Sequence, residues 1–184
     1  TRVEPEVAKR EKEYWEQYGL ENAENIKTEL NREIGKMALP MIHRPVEFKN
    51  PQVVACVDTR FADVSLDIAP IFIAGRYTKY SREIPQTIWP CRVCHGKGCD
   101  HCHGKGKMYP TSVQEIIGDI ALEMAGGQEH FFHGMGREDI DACMLGDGRP
   151  FVLEISSPRI RDIDLDELER RANDNDMAGY NSLR

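Results

Sequence analysis

A polar loop that runs into an apolar strand occupies residues 136–155, which read Gly-Arg-Glu-Asp-Ile-Asp-Ala-Cys-Met-Leu-Gly-Asp-Gly-Arg-Pro-Phe-Val-Leu-Glu-Ile. The first six residues carry one arginine and three carboxylates, and the last five predict a buried strand. Polar groups at the point where a loop meets a sheet are typical of two arrangements. One is an acidic hairpin turn, and the other is a site that holds a reactive carboxylate. Residue types alone leave both interpretations open.

Upstream, apolar residues recur at helical spacing in two segments near the start of the chain. They predict one helix over residues 6–18, closed by Gly19, and a second over residues 25–39, stopped by Pro40. Strand patterns follow at residues 53–57, 64–68 and 71–73. The simplest arrangement is a sheet backed by the two helices, with their apolar faces and Cys56 in its core.

Downstream, Ser112 predicts the start of a helix that ends at Gly126-Gly127. Short strands are expected from Phe131 onward, and a charged amphipathic helix over residues 165–172. The sequence therefore predicts an α+β fold, with antiparallel or mixed sheets and flanking helices.

Two nearly identical cysteine segments lie between these halves. Cys91-x-x-Cys94-His95-Gly96-Lys97-Gly98 is followed at once by Cys99-x-x-Cys102-His103-Gly104-Lys105-Gly106. Paired cysteines at this spacing predict one structural zinc ion held by four thiolates. The gap between the pairs is short, so a histidine from His95, His101 or His103 could replace one sulfur. A redox dithiol and an iron–sulfur cluster are the weaker alternatives.

Charge is unevenly distributed along the chain. The net charge is −7, which argues against a nucleic-acid partner when the whole chain is taken together. Residues 76–107, however, contain seven basic residues against two acidic ones. The seven are Arg76, Lys79, Arg82, Arg92, Lys97, Lys105 and Lys107. They form either an ordinary solvated surface or a basic patch for phosphate.

The sequence contains no long apolar run and no secretion-signal pattern at its start. These features predict a cytoplasmic protein without a membrane segment. The first residue is threonine, and the last residues do not form an obvious closing element. We therefore expect a piece of a longer polypeptide.

Several blocks in the same order resemble a family of archaeal and eukaryotic transfer-RNA pseudouridine synthases, the "Pus ten" family. The resemblance covers residues from about 25 to about 173. Besides the four cysteines and the polar loop, its blocks are Asn31-Arg32-Glu33-Ile34-Gly35-Lys36, Gly75-Arg76-Tyr77, Lys79, Ser81-Arg82, Pro85-Gln86-Thr87 and Trp89-Pro90.

The resemblance implies three parts within this chain. Residues 1–85 correspond to the end of an accessory domain with a THUMP module, residues 86–110 to a zinc-binding knuckle, and residues 111–184 to the first half of a pseudouridine synthase domain. The rest of the accessory domain and of the catalytic domain would belong to the same longer polypeptide. A base-stacking tyrosine and a second basic residue of the active site would follow Arg184.

The resemblance also implies an isomerase that converts uridine 54, uridine 55 or both, in the TΨC arm of transfer RNA, to pseudouridine. Asp139 matches the family's catalytic aspartate, and Arg137 would orient it or contact RNA phosphate. Glu138 and Asp141 would be structural. The seven basic residues would bind RNA, and no organic cofactor is expected. The chain departs from the family at Ala142-Cys143, where valine and arginine are usual.

Two other function classes remain compatible with the sequence. A non-catalytic, zinc-containing RNA-binding module would keep Asp139 without its chemistry. A chaperone-like zinc protein would bind unfolded polypeptide, because glycine-rich cysteine repeats also occur in J-type chaperones.

Overall fold

The computed structural model describes residues 1–21, 23–175 and 181–183. The chain divides into two compact units, Thr1–Ala69 and the residues from Pro70 onward. Both units combine helices with antiparallel strands in their described elements. The predicted α+β class is confirmed.

The first unit contains two helices and a hairpin. Helix α1 spans Pro5–Tyr18, helix α2 spans Ile26–Ile42, and strand β1, Val53–Asp58, pairs antiparallel with β2, Asp63–Ile68. Gly19 ends α1 as expected, with its N–H donating to the Trp15 carbonyl at 3.0 Å.

Helix α2 begins after Asn25, whose side chain accepts a hydrogen bond from the Lys27 N–H at 2.8 Å. The predicted stop at Pro40 is wrong, because the helix continues through Pro40 to Ile42 and ends at His43 in a left-handed conformation. Pro40 falls in the last turn, where the loss of one hydrogen bond does not end the helix. The predicted core faces are also wrong: neither helix buries a side chain among the described residues, and Cys56 is half-buried.

The second unit is built on a four-stranded antiparallel sheet. Its strands are β3, Ile71–Lys79; β4, His130–Gly134; β5, Met144–Ile155; and β6, Asn181–Leu183, in the order β4-β5-β3-β6. The strand predicted at residues 71–73 therefore belongs to this sheet. The expectation that it joins the first two strands is wrong, because its backbone partners are β5 and β6.

Two helices pack with this sheet around a single core. Helix α3 spans Val113–Ala125 and helix α4 spans Leu165–Asn175. The Ser112 hydroxyl accepts from the Glu115 N–H at 3.2 Å, and Gly126 ends α3, as the sequence predicts. The buried apolar side chains are Tyr77, Ile84, Val113, Ile117, Ile120, Ala121, Ala125, Phe151, Leu153, Ile155, Leu168 and Ala172.

The units divide after Ala69, whereas the sequence places the end of the accessory domain after residue 85. The difference arises because β3 pairs along most of its length with β5. Where one domain ends and the next begins stays a prediction.

No helix within residues 1–21, 23–175 or 181–183 has the length and apolar content needed to cross a membrane.

Candidate functional site

The polar loop predicted from the sequence joins β4 to β5, and we call residues 135–143 the aspartate loop. Its start is tied to the sheet, because the Met135 N–H donates to the Pro150 carbonyl at 3.0 Å. The turn at its far end closes when the Ala142 N–H donates to the Asp139 carbonyl at 3.0 Å. The loop therefore lies at one edge of the sheet, directly beside the middle of β5.

The buried side chain of Glu138 anchors this loop. Its side chain is 1% exposed, and one carboxylate oxygen accepts from Arg149 Nε at 2.8 Å. The Tyr77 hydroxyl lies 2.6 and 2.8 Å from the two carboxylate oxygens, and Gln86 Nε2 donates to one of them at 3.2 Å. A buried carboxylate is stable only when it is paired and hydrogen-bonded in this way.

Four side chains from outside the loop hold its backbone. Each donates to a carbonyl oxygen: Arg149 to Met135 at 3.0 Å, Gln86 to Gly136 at 3.2 Å, Lys79 to Ile140 at 2.9 Å and Arg82 to Asp141 at 2.7 Å. These contacts flank Glu138 and Asp139 on both sides. The loop conformation is thus determined by the sheet and by the segment that follows β3.

Lys79 is fully buried, and its ammonium also donates to the Ile84 carbonyl at 3.1 Å. Burial lowers the pKa of Lys79, and the Glu138 carboxylate partly offsets that shift. Burial, and then the hydrogen bond to Glu138, raise the pKa of Tyr77, so its hydroxyl stays protonated and donates. No phosphate can reach this buried ammonium, so the position of Lys79 does not fit the RNA-binding role that the sequence suggests.

Asp139 is exposed, unlike its neighbour Glu138. Within the described part of the chain, its carboxylate makes no hydrogen bond or ion pair. Arg137 is also exposed, and it forms no ion pair with Asp139. The loop therefore presents a carboxylate and a guanidinium outward from a fixed backbone.

The other predicted RNA-binding residues differ in their surroundings. Arg76 donates to the Asp147 and Gly148 carbonyls at 2.6 and 2.8 Å, and Lys107 pairs with Glu115. Three are exposed and make neither a side-chain hydrogen bond nor an ion pair among the described residues, namely Arg92, Lys97 and Lys105. The structure thus leaves a smaller set of cations available to a ligand than the sequence suggests.

The four predicted metal ligands converge, and we call residues 90–107 the cysteine knuckle. The Sγ atoms of Cys91, Cys94, Cys99 and Cys102 all lie within 4.8 Å of one another. The measured separations are 3.9 Å for Cys91–Cys99 and 3.8 Å for Cys94–Cys102 and Cys99–Cys102. A tetrahedral ion with Zn–S bonds of about 2.3 Å places its sulfurs about 3.8 Å apart, so the residues fit four-thiolate zinc.

Backbone amides complete the sulfur environment. The Gly106 and Gly98 N–H groups donate to the sulfurs of Cys102 and Cys94 at 3.1 and 3.2 Å. Amides of Cys94 and Val93 lower the pKa of the Cys91 thiol, whereas burial and the neighbouring thiols raise the pKa of the Cys99 thiol. Among the described residues, no histidine joins this cluster, so the four-sulfur set is favoured over a histidine replacement.

The two halves of the cysteine knuckle pack closely against each other. The Cys91 N–H donates to the Gly106 carbonyl at 2.7 Å, and the Met108 N–H donates to the Trp89 carbonyl at 2.9 Å. A Cβ added at Gly106, where φ is +72°, would lie 2.5 Å from the Gly96 carbonyl oxygen. Only glycine allows this approach together with a left-handed backbone.

Tyr77, Gln86 and Arg149 were not assigned a role from the sequence, although the blocks that carry the family resemblance include the first two. One feature of the sequence could have predicted a buried carboxylate near β3. Lys79 lies two residues after Tyr77 in β3, so both side chains fall on one face of the strand. A lysine on the same face as a core aromatic needs a buried carboxylate nearby, and Glu138 supplies it.

Comparison with known protein families gives two matches. The model described as "Pus10, C-terminal" matches residues 72–184, and "Pus10 THUMP domain, archaeal" matches residues 1–58. The two matched ranges fall in the two compact units.

Curated relatives match over most of this chain. One from Methanothermobacter marburgensis is 50% identical over 177 residues, which cover 94% of this chain and 44% of the relative. A second, from Methanothrix thermoacetophila, is 47% identical and covers 82% of this chain and 34% of the relative. Both carry the name tRNA pseudouridine synthase Pus10. The chain thus spans less than half the length of these relatives.

Proposed function

Because this chain belongs to the Pus10 family, we propose that it forms the part of a transfer-RNA pseudouridine synthase that supplies the catalytic aspartate. The observation that carries this proposal is the contrast within the aspartate loop. Glu138 is buried and fully paired, whereas Asp139 is exposed on a backbone held at four carbonyls. A reactive carboxylate needs such support.

The reaction exchanges one bond of the nucleotide for another. The bond from ribose C1′ to uracil N1 breaks, the base rotates, and a bond from C1′ to C5 forms. The proton on C5 is lost and N1 gains one, so no atom is added overall and no redox partner is needed. A carboxylate beside the ribose serves as nucleophile at C1′ or as base toward a ribose proton. We assign that position to Asp139.

Glu138 keeps Asp139 available for this role. Two charged carboxylates in one pocket would raise each other's proton affinity. Arg149 and Tyr77 bind the buried Glu138 carboxylate, so its charge is already compensated.

The family resemblance also suggests the substrate. We propose transfer RNA, and within it uridine 54, uridine 55 or both in the TΨC arm. The target base has to leave its stack to reach a carboxylate, as in other enzymes that act on bases. The exposed cations Arg92, Lys97 and Lys105, with the guanidinium of Arg137, supply contacts for the phosphates.

For the cysteine knuckle we propose a structural zinc ion. A site closed by four thiolates has no open position for a substrate, so the metal stabilises the backbone that carries Arg92, Lys97 and Lys105. We also propose that the catalytic part begins at β3, because β3 supplies Tyr77 and Lys79 to the aspartate loop.

The test uses the full-length polypeptide, zinc-loaded, with an unmodified transfer-RNA transcript and chemical mapping of pseudouridine. Asp139→Asn is expected to abolish product while transfer-RNA affinity stays unchanged. Asp141→Asn is the matched control: the same chemical change at an exposed carboxylate in the same loop, with product retained. Turnover by Asp139→Asn would refute the assignment. Binding without product by the unaltered polypeptide would favour the non-catalytic RNA-binding module.

A further inference from the structure

A groove of about 400 Å³ lies beside the aspartate loop. Its other side is formed by residues at the two ends of the cysteine knuckle. Its wall consists of Thr87, Ile88, Trp89, Pro90, Arg92, Met108 and Arg137. Its volume falls within the range of about 300–1,000 Å³ that is usual for small-ligand sites. Arg137 is two residues from Asp139, so the groove adjoins the loop that carries the proposed catalytic carboxylate.

Both charged residues of this groove are cationic. Arg92 and Arg137 are its charged residues, and no carboxylate lines it. Neither guanidinium forms an ion pair in the part of the chain that the structure describes, in contrast to Arg149, which is paired with Glu138. Two unpaired guanidiniums facing one space are suited to a phosphate, which accepts planar, bidentate hydrogen bonds.

The other side of the groove is apolar and aromatic. Trp89, Ile88 and Met108 supply this wall. Tyr109 holds the Trp89 ring edge-to-face, with centroids 5.6 Å apart, and the Met108–Trp89 backbone hydrogen bond fixes the two lining residues together. A held indole beside a cationic patch is the combination with which proteins bind unpaired nucleotides.

We propose that this groove binds one unpaired nucleotide of the substrate RNA next to the target uridine. Its phosphate would lie between Arg92 and Arg137, and its base against Trp89 and Met108. This inference rests on the proposed function and makes it more specific. It assigns Arg137 to substrate binding rather than to orienting Asp139, because Arg137 lines the groove and forms no ion pair with Asp139.

The phosphate part is tested with Arg92→Gln, Arg137→Gln and the double variant in the zinc-loaded full-length polypeptide. Transfer-RNA affinity is measured over a range of salt concentrations. Each single variant is expected to weaken binding several-fold. The double variant should lower the slope of log affinity against log salt by about one unit, rather than two, because both residues bind the same phosphate.

Arg159→Gln is the matched control. Arg159 is exposed and lies beside Gly126, at the end of α3 opposite to the cysteine knuckle, which contacts the start of that helix through Lys107 and Glu115. Thirteen helical residues at about 1.5 Å each separate the two ends by about 20 Å. Affinity and salt slope should therefore match those of the unaltered polypeptide.

The base part is tested with Trp89→Leu and with photocrosslinking of transfer RNA that contains 4-thiouridine. Trp89→Leu should weaken binding about tenfold and leave the salt slope unchanged, since stacking neutralises no phosphate. Crosslinks are expected on residues 87–92 or 107–109. An unchanged zinc content shows that Trp89→Leu remains folded. If this variant loses zinc, the Arg92→Gln and Arg137→Gln variants decide whether the groove binds RNA.

Two results would overturn the inference in distinguishable ways. If Lys97→Gln and Lys105→Gln weaken binding while Arg92→Gln and Arg137→Gln leave it unchanged, the groove is not a binding site and the proposed function stands. If the unaltered polypeptide does not bind transfer RNA, the proposed function fails together with the groove.

Discussion

The cysteine knuckle and the aspartate loop are stabilised in two different ways. Both are polar, glycine-containing segments that bury little apolar surface, so the hydrophobic core cannot hold them. The cysteine knuckle gathers four sulfurs around one point, whereas the aspartate loop is held by a buried carboxylate and four donated hydrogen bonds. We propose that the first depends on a bound ion, whereas the second depends on ionic groups of the chain itself.

The two regions should therefore be destabilised by different changes. The cysteine knuckle should respond to chelators and to loss of any one thiol, because the proposed zinc ion would be held by all four thiolates. The aspartate loop should be indifferent to chelators and sensitive to the charge on Glu138. The two regions can therefore be disrupted one at a time.

The largest effect is expected on removal of the metal. Binding of structural zinc contributes on the order of 10 kcal/mol in small zinc domains, so Cys102→Ser or chelation should unfold the cysteine knuckle. Hydrogen exchange should rise across residues 90–107 and stay low in β5. Elemental analysis should give one zinc per chain for the unaltered protein.

Cys56→Ser is the control for this change, since Cys56 is a half-buried thiol outside the cluster. It should keep full zinc content. Persistent protection of residues 90–107 in zinc-free protein would show that the metal does not hold the cysteine knuckle.

The next effect is expected at Glu138. Glu138→Gln keeps the size of the side chain but leaves Arg149 and Lys79 near an uncharged group, and loss of one partner from a buried ion pair costs about 3 kcal/mol. Denaturant unfolding measures this loss, and zinc content should be unaffected. The exposed Asp141→Asn should change the free energy of unfolding by less than about 0.5 kcal/mol. Equal losses in the two variants would contradict the anchoring role of Glu138.

A smaller effect separates two glycines of the cysteine knuckle. Gly106→Ala brings a methyl group against the Gly96 carbonyl and should cost about 2 kcal/mol in the zinc-loaded protein. Gly96→Ala adds a methyl group in open space, at φ +98°, and should cost only the backbone strain of about 1 kcal/mol. Thermal unfolding compares the two variants. A larger loss for Gly96→Ala would mean that the two halves do not pack as described.

Local patterns predicted the elements whose signals lie within a few residues. Ser112 and Gly126 mark the ends of α3, and the apolar run 151–155 marks β5. The Cys-x-x-Cys pairs predicted the sulfur cluster for the same reason, because the spacing itself brings each pair together. These features need no knowledge of distant contacts.

Pairing between distant segments could not be read in the same way. The pattern at residues 71–73 indicates a strand, but nothing in it shows that its partner is β5, some 80 residues later. The role of Glu138 depends on the same pairing, because Tyr77 and Arg149 stand opposite each other only in this register. The prediction of core faces on the helices of the first unit is wrong for a different reason. Their apolar spacing predicts that the helices form, but it does not show that their apolar faces are unburied in this chain.

The most direct measurement compares Glu138→Gln with Asp139→Asn in the full-length, zinc-loaded polypeptide, following both thermal unfolding and pseudouridine formation in transfer RNA. Asp139→Asn should unfold at the same temperature as the unaltered polypeptide and form no pseudouridine, because its exposed carboxylate supports the reaction and not the fold. Glu138→Gln should unfold at a lower temperature. Pseudouridine formed by Asp139→Asn, or a loss of stability equal to that of Glu138→Gln, would contradict the division of roles between the two neighbouring carboxylates.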